Sequence, residues 1–119
     1  MNIEQTISAI ISVVPESEAE MKKAESDKNA YTIIKIFTAH IKYFIEHKSN
    51  KRYRKSLSLM NFIYQKGDSP LQRAVEQIFI YSLDLLLFCC GPRQRKSFIS
   101  WIPIDLYTVY ISQISRSCL

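Results

Sequence analysis

The chain has 119 residues, the usual length of a single domain, and its 47% hydrophobic and 23% charged residues are typical of a folded globular protein. It holds only two glycines, too few for the many tight turns that a β-sandwich or barrel requires. The formal net charge of +5 is concentrated after residue 30, because residues 1–30 hold six acids against three bases. Such a basic body favours an acidic protein, a nucleic acid or an anionic surface as partner.

Helix signals divide the first half of the chain into three segments. Asn2, with Gln5 three residues later, has the pattern of a capping box at the start of a first helix. Pro15 ends that helix and opens a short second one, which we expect to stop at the polar residues 26–29. A longer helix is predicted over residues 30–47, with one apolar face made of Ala30, Ile33, Ile34, Phe37, Ile41, Phe44 and Ile45.

The second half begins with a helix from residue 49 or 50 to Gly67. Its predicted buried stripe is Tyr53, Leu57, Met60, Ile63 and Tyr64. Gly67 suits the left-handed residue that often follows a helix end. Ser69–Pro70 then pairs a capping hydroxyl with proline at the first helical position, which predicts a new helix over about residues 70–90. Because this segment is apolar nearly all round, we expect neighbours to cover it on several sides.

Shorter helices follow Pro92 and Pro103, and no internal repeat or long linker divides the chain. We therefore predict one all-α domain over residues 1–119, a compact bundle of five to six helices around the central apolar helix. The most apolar run is Ile78–Cys90, 13 residues interrupted by Asp84. A membrane span needs roughly 20 such residues, so the sequence predicts no membrane segment.

The cysteines are Cys89, Cys90 and Cys118, an odd number with two adjacent. This arrangement is a poor basis for a disulfide framework. All three lie in or near apolar stretches, where buried thiols are the usual state of cysteine. We therefore expect a protein of the reducing cytoplasm.

The sequence gives no candidate catalytic, metal or cofactor site. The two histidines, His40 and His47, lie seven residues apart on one helix, which separates them by roughly 10 Å, too far for one metal ion. Two glycines cannot build a phosphate-cradling loop, and no nucleophile elbow occurs. Asp84 is the one carboxylate inside an apolar run, but a helical wheel aligns it with Arg73 and Gln77 in a polar stripe.

The most distinctive feature is basic. A first basic cluster places five positive charges within eight residues: Lys48, Lys51, Arg52, Arg54 and Lys55. A second basic cluster is predicted in the loop after the central helix: Arg93, Arg95 and Lys96. Several of the first five fall at the start of a helix, where the helix dipole disfavours cations, so local stability does not explain them.

These clusters predict a docking surface for an acidic protein partner. The competing interpretation is that they are ordinary solvated surface charge. The alternative is contact with the phosphate backbone of a nucleic acid, although no base-reading motif accompanies the clusters. An enzyme with an unrecognised pocket is the third hypothesis. A homodimer through an exposed apolar face that bears Leu59 and Phe62 is also compatible with the pattern.

The order of helix signals resembles a family of short, uncharacterised all-helical bacterial proteins. The residues that carry this likeness are Pro15, Asn29–Tyr31, Gly67–Leu71, Ala74–Glu76 and Ile102–Leu106. Members of such families sometimes look like immunity proteins, which bind and block a toxin. The resemblance implies protein binding and carries over no catalytic residue. The charge departs from the acidic character common among immunity proteins against nucleases, so an acidic target fits better.

Overall fold

Helices make up the fold throughout the part of the chain that a computed structural model describes. The structure describes the backbone of residues 1–27, 29–88 and 92–117. It also describes their side chains, except those of residues 84, 88, 92–94 and 114–117. No strand occurs in these ranges, so the predicted all-α class is confirmed. The three cysteines lie outside the described residues, and what the sequence predicts for them stays a prediction.

Seven helices occur in the described ranges when residues 69–88 are counted as one, here called the central helix. They are α1 (Ile3–Val13), α2 (Glu18–Glu25), α3 (Ala30–Glu46), α4 (Asn50–Lys66), the central helix formed by α5 (Ser69–Ala74), a π-helical segment (Val75–Ile80) and α6 (Tyr81–Phe88), then α7 (Pro92–Ser100) and α8 (Ile104–Ser117). A 3₁₀ turn, Pro15–Ser17, joins α1 to α2. The predicted capping box is confirmed, since the Asn2 side chain accepts from the Gln5 N–H at 2.9 Å and the Gln5 side chain accepts from the Asn2 N–H at 3.0 Å.

The core lies between α3, α4 and the central helix, with α1 and α8 closing it. All seven residues of the apolar face predicted for α3 are buried. In α4 the predicted stripe is buried at four of its five positions, and Tyr64 is half-buried. None of the helices in the described part of the chain combines the length and apolarity that a bilayer crossing requires.

The central helix is in the predicted place, but one row of its buried side chains has a longer period than a regular α-helix. Buried side chains recur every four residues, at positions 71, 75, 79, 83 and 87. Four residues turn a regular α-helix by roughly 400°, so each step overshoots by about 40°. The π-helical segment has more residues per turn, which rotates the following residues back and keeps this row on the core. Leu85, which a regular wheel places in the buried arc, is 72% exposed as a result.

The junction between α4 and the central helix also corrects two expectations. Gly67 has φ −70° and ψ 157°, which is extended and not left-handed. Glycine is required there for space, because a Cβ would lie 2.5 Å from the Ile63 carbonyl oxygen and 2.9 Å from the Leu71 Cβ. The helix cap is Asp68 and not Ser69, since the Asp68 carboxylate accepts from the Leu71 N–H at 3.3 Å.

Candidate functional site

Lys48, the first residue of the first basic cluster, forms the turn between α3 and α4 in a left-handed backbone conformation with φ 55°. The N–H of Lys48 donates to the Ile45 carbonyl at 3.2 Å, and the N–H of Ser49 donates to the Phe44 carbonyl at 2.8 Å. These two bonds form a Schellman motif, in which the left-handed position usually holds glycine. A side chain at that position costs roughly 1–2 kcal/mol, so this lysine occupies a strained site.

The start of α4 is likewise poorly suited to cations. Ser49 occupies the N-cap position without a side-chain hydrogen bond to the helix, and the first turn contains no acid. Lys51 and Lys55 lie four residues apart on one exposed face of α4. Neither makes an ion pair with a residue whose side chain the structure describes. Lys51 therefore lies at the positive end of the helix dipole with no acid in the same turn.

Arg52 has a structural contact instead. Its guanidinium donates to both carboxylate oxygens of Glu16 in the 3₁₀ turn, one at 2.7 Å, and its central carbon lies 4.4 Å from the centroid of the Phe44 ring. The hydrogen bond from Arg52 lowers the pKa of Glu16 from 4.5 to about 2, and the same bond raises the pKa of Arg52. This cation joins α4 to the N-terminal helices.

Arg54 points the other way around α4, toward α7. Its guanidinium carbon lies 5.1 Å from the centroid of Trp101, just after α7. Between the two arginines, the buried ring of Tyr53 meets Phe98 of α7 edge-on, with centroids 4.5 Å apart. Phe98 in turn meets Trp101 edge-on at 5.6 Å. These aromatic contacts hold α7 against the first turns of α4.

The second basic cluster lies within α7 and not in a loop, and the aromatic contacts hold that helix against α4. Arg93 is in the first turn of α7, with a side chain outside the described part. Arg95 and Lys96 are exposed, and Lys96 precedes Phe98 by two residues. Two clusters some forty residues apart in the chain therefore lie on adjacent helices.

The two histidines have separate surroundings. The His40 Nε2 lies 3.0 Å from the Glu20 carboxylate, which joins α3 to α2. The His47 ring stacks on Tyr43 at 3.8 Å, and its Nδ1 lies 3.0 Å from the Tyr43 carbonyl oxygen. Within the described residues, no group of three His, Cys, Asp or Glu is arranged to hold a metal ion.

A polar cluster joins α4, the π-helical segment and α8. The Tyr64 hydroxyl donates to the Glu76 carboxylate at 2.7 Å, and the Gln113 amide donates to the Glu76 carbonyl oxygen at 3.0 Å. Burial, the hydrogen bond to Glu76 and the nearby charges of Glu76 and Asp105 raise the pKa of Tyr64 to about 12. The two hydrogen bonds to Glu76 tie α4 and α8 to the π-helical segment.

A groove of about 800 Å³ runs between α3 and the central helix. Its walls include Tyr31, Lys35, Thr38 and Lys42 from α3, and Ile78 and Leu85 from the central helix. Sequence reasoning missed this groove because a regular helical wheel buries Leu85. No pattern in the sequence marks the π-helical segment that turns this residue outward.

Comparison with known proteins adds one relationship. No curated protein and no solved structure matches this chain. The family described as a domain of unknown function, DUF7674, matches residues 7–116. That range contains both basic clusters and both walls of the groove. Because the match covers nearly the whole chain, the chain belongs to the DUF7674 family.

Proposed function

We propose that this chain is a non-enzymatic protein-binding module that docks an acidic partner on a basic surface. The surface consists of Lys48, Lys51 and Lys55, with Arg95 and Lys96 on the neighbouring helix α7 as a second contact. The observation that supports the proposal is that two of these lysines occupy positions that destabilise the fold. Lys48 holds a strained left-handed backbone, and Lys51 lies at the positive end of a helix whose first turn contains no acid. Strain of this kind is concentrated at functional sites.

The arginines and the lysines of the first basic cluster differ in their contacts, and this difference supports a partner contact made by the lysines. Arg52 already binds the Glu16 carboxylate and Arg54 already lies over Trp101. The two planar guanidinium forks, the groups best suited to bidentate phosphate binding, are thus engaged in their own chain. Lysines attract carboxylates as point charges, and such surfaces chiefly raise the association rate and select the partner. This favours an acidic protein over a nucleic acid.

An immunity-like or adaptor role in the bacterial cytoplasm is compatible with the proposed binding of an acidic protein. Both roles need only a stable scaffold and one complementary surface. The motivation is the resemblance of the sequence to short bacterial families with immunity-like members, together with the basic surface.

The test is a pull-down from the native host with nuclease treatment, using the tagged chain and two double variants. The variant Lys51→Glu with Lys55→Glu reverses the basic surface. The control, Lys23→Glu with Lys66→Glu, changes exposed lysines elsewhere on α2 and α4. Each exchange removes two charges, so both variants lower the formal net charge equally, from +5 to +1. We expect the wild type and the control to retain one stoichiometric acidic protein that the Lys51/Lys55 variant loses.

Two outcomes would contradict the proposal. Equal retention by both variants would remove the basic surface from the interaction. Recovery of nucleic acid when nuclease is omitted, with affinity that falls roughly 10³-fold or more between 50 and 200 mM salt, would replace the acidic protein by a phosphate backbone.

A further inference from the structure

The groove between α3 and the central helix leaves large apolar side chains uncovered by any described residue. Leu85 is 72% exposed, and Tyr31 on the opposite wall is 37% exposed. Single exposed apolar residues are common on protein surfaces. Here they border a groove whose floor includes the half-buried Ile78 and the buried Leu86, so the apolar surface is continuous.

Two lysines on α3 give the groove a charge. Lys35 and Lys42 are both exposed and line the same wall. They lie seven residues apart, which is about 10 Å along the helix axis, or two helical turns. Lys42 approaches Glu46 only at 3.9 Å, and Lys35 makes no ion pair with a described residue. No acid is among the described residues that line the groove.

We propose that this groove binds an amphipathic helix of a partner protein, with an apolar face and acidic residues seven positions apart. A helix laid along α3 would place its apolar side chains against Ile78 and Leu85. Acids two turns apart on one flank would then face Lys35 and Lys42. Docking of an amphipathic helix in an apolar groove is a recurring mode of peptide recognition. None of these residues belongs to the basic surface, so the proposal goes beyond the proposed function.

The shape of the groove favours a helix over a small apolar ligand. Small-molecule sites bury roughly 70–90% of their ligand. Leu85 is 72% exposed, so this side of the groove is open along its length, which suits a helix laid along α3. The lysines disfavour a second copy of this chain seated groove against groove, because a symmetric contact would bring like charges together.

The probe is a designed amphipathic peptide of about 18 residues, long enough to form a helix on binding. It carries leucines at helical spacing and glutamates seven residues apart. A matched peptide replaces the glutamates by lysines and keeps the leucines. Binding is measured by fluorescence anisotropy at low salt, and we expect the glutamate peptide to bind more tightly than the lysine peptide.

Two pairs of variants locate the site. Leu85→Ser should raise the Kd of the glutamate peptide roughly tenfold or more, because the leucine would be buried in the complex. Ile104→Ser is the matched control, since Ile104 on α8 is 74% exposed and lies outside the groove. Lys35→Glu with Lys42→Glu should weaken the glutamate peptide roughly 2- to 30-fold and strengthen the lysine peptide. The Lys51/Lys55 and Lys23/Lys66 variants change the net charge by the same amount, and at low salt they should weaken the glutamate peptide clearly less than the Lys35/Lys42 variant does.

Several results would overturn the inference. One is equal affinity for the two peptides, or no binding of either. Another is equal weakening by the Leu85 and Ile104 variants. A wild-type dimer that sediments as a monomer after Leu85→Ser would assign the groove to a second copy. Displacement of the glutamate peptide by dodecanoate at micromolar concentration would assign it to a fatty acid. Since the basic surface is untouched here, failure of this inference leaves the proposed function standing.

Discussion

Replacing Lys48 by glycine tests whether the basic surface is maintained at the expense of stability. Lys48 has φ 55° and sits at the left-handed position of the Schellman motif that ends α3. A side chain in this conformation costs roughly 1–2 kcal/mol, whereas glycine adopts it freely. Glycine loses more backbone freedom on folding than lysine does, and this lowers the free energy of unfolding by about 0.5–1 kcal/mol. The net gain in the free energy of unfolding for Lys48→Gly is therefore about 0.5–1 kcal/mol.

The measurement is urea and thermal unfolding followed by circular dichroism, with Lys48→Ala as the matched control. For a chain of this length, the expected gain corresponds to a rise in Tm of roughly 2–4 °C. Lys48→Ala removes the same charge but keeps a Cβ in the left-handed conformation, so its stability should stay close to that of the wild type. Both variants lack the amine, and both should weaken binding of the acidic partner to a similar extent.

The reasoning is refuted if Lys48→Gly is no more stable than the wild type. It is also refuted if Lys48→Ala gains as much as glycine does. Equal gains would mean that Lys48 destabilises the fold by repulsion from Lys51 and its neighbours and not by backbone strain. In that case, salt would remove the difference between wild type and variants, because it screens exposed charges.

Two further predictions concern the junctions of the fold. Gly67→Ala should lower the free energy of unfolding by about 1–3 kcal/mol in urea titrations, because its Cβ would meet the Ile63 carbonyl oxygen at 2.5 Å. Gly67→Asn should be at least as destabilising, and a clearly milder asparagine variant would restore the left-handed expectation. The bond to Arg52 lowers the pKa of Glu16 to about 2, so its stabilisation is present above pH 4.5 and is lost as pH falls toward 2. The difference in unfolding free energy between wild type and Glu16→Gln, about 1 kcal/mol or less for this exposed pair, should vanish over that range, and a constant difference would contradict the assignment.

Local signals in the sequence were enough to place the helices. Asn2 with Gln5 marks the start of α1, and the apolar face of α3 follows from a period of 3.6 residues. Both signals act within one or two helical turns, so they do not depend on how the rest of the chain folds. The basic clusters were equally visible, since charge can be counted without a fold.

Only the tertiary structure decided which of those cations contact residues of their own chain and which face of the central helix is exposed. Arg52 finds Glu16 across 36 residues of sequence, a partner that no local pattern identifies. Gly67 is required by the approach of Leu71 and not by its own backbone angles. The π-helical segment fits the central helix to its neighbours and turns Leu85 outward. The outcomes for Arg52 and Leu85 depend on contacts between distant segments, and that for Gly67 on the bend between two helices, whereas helix periodicity and capping depend on residues within one helix.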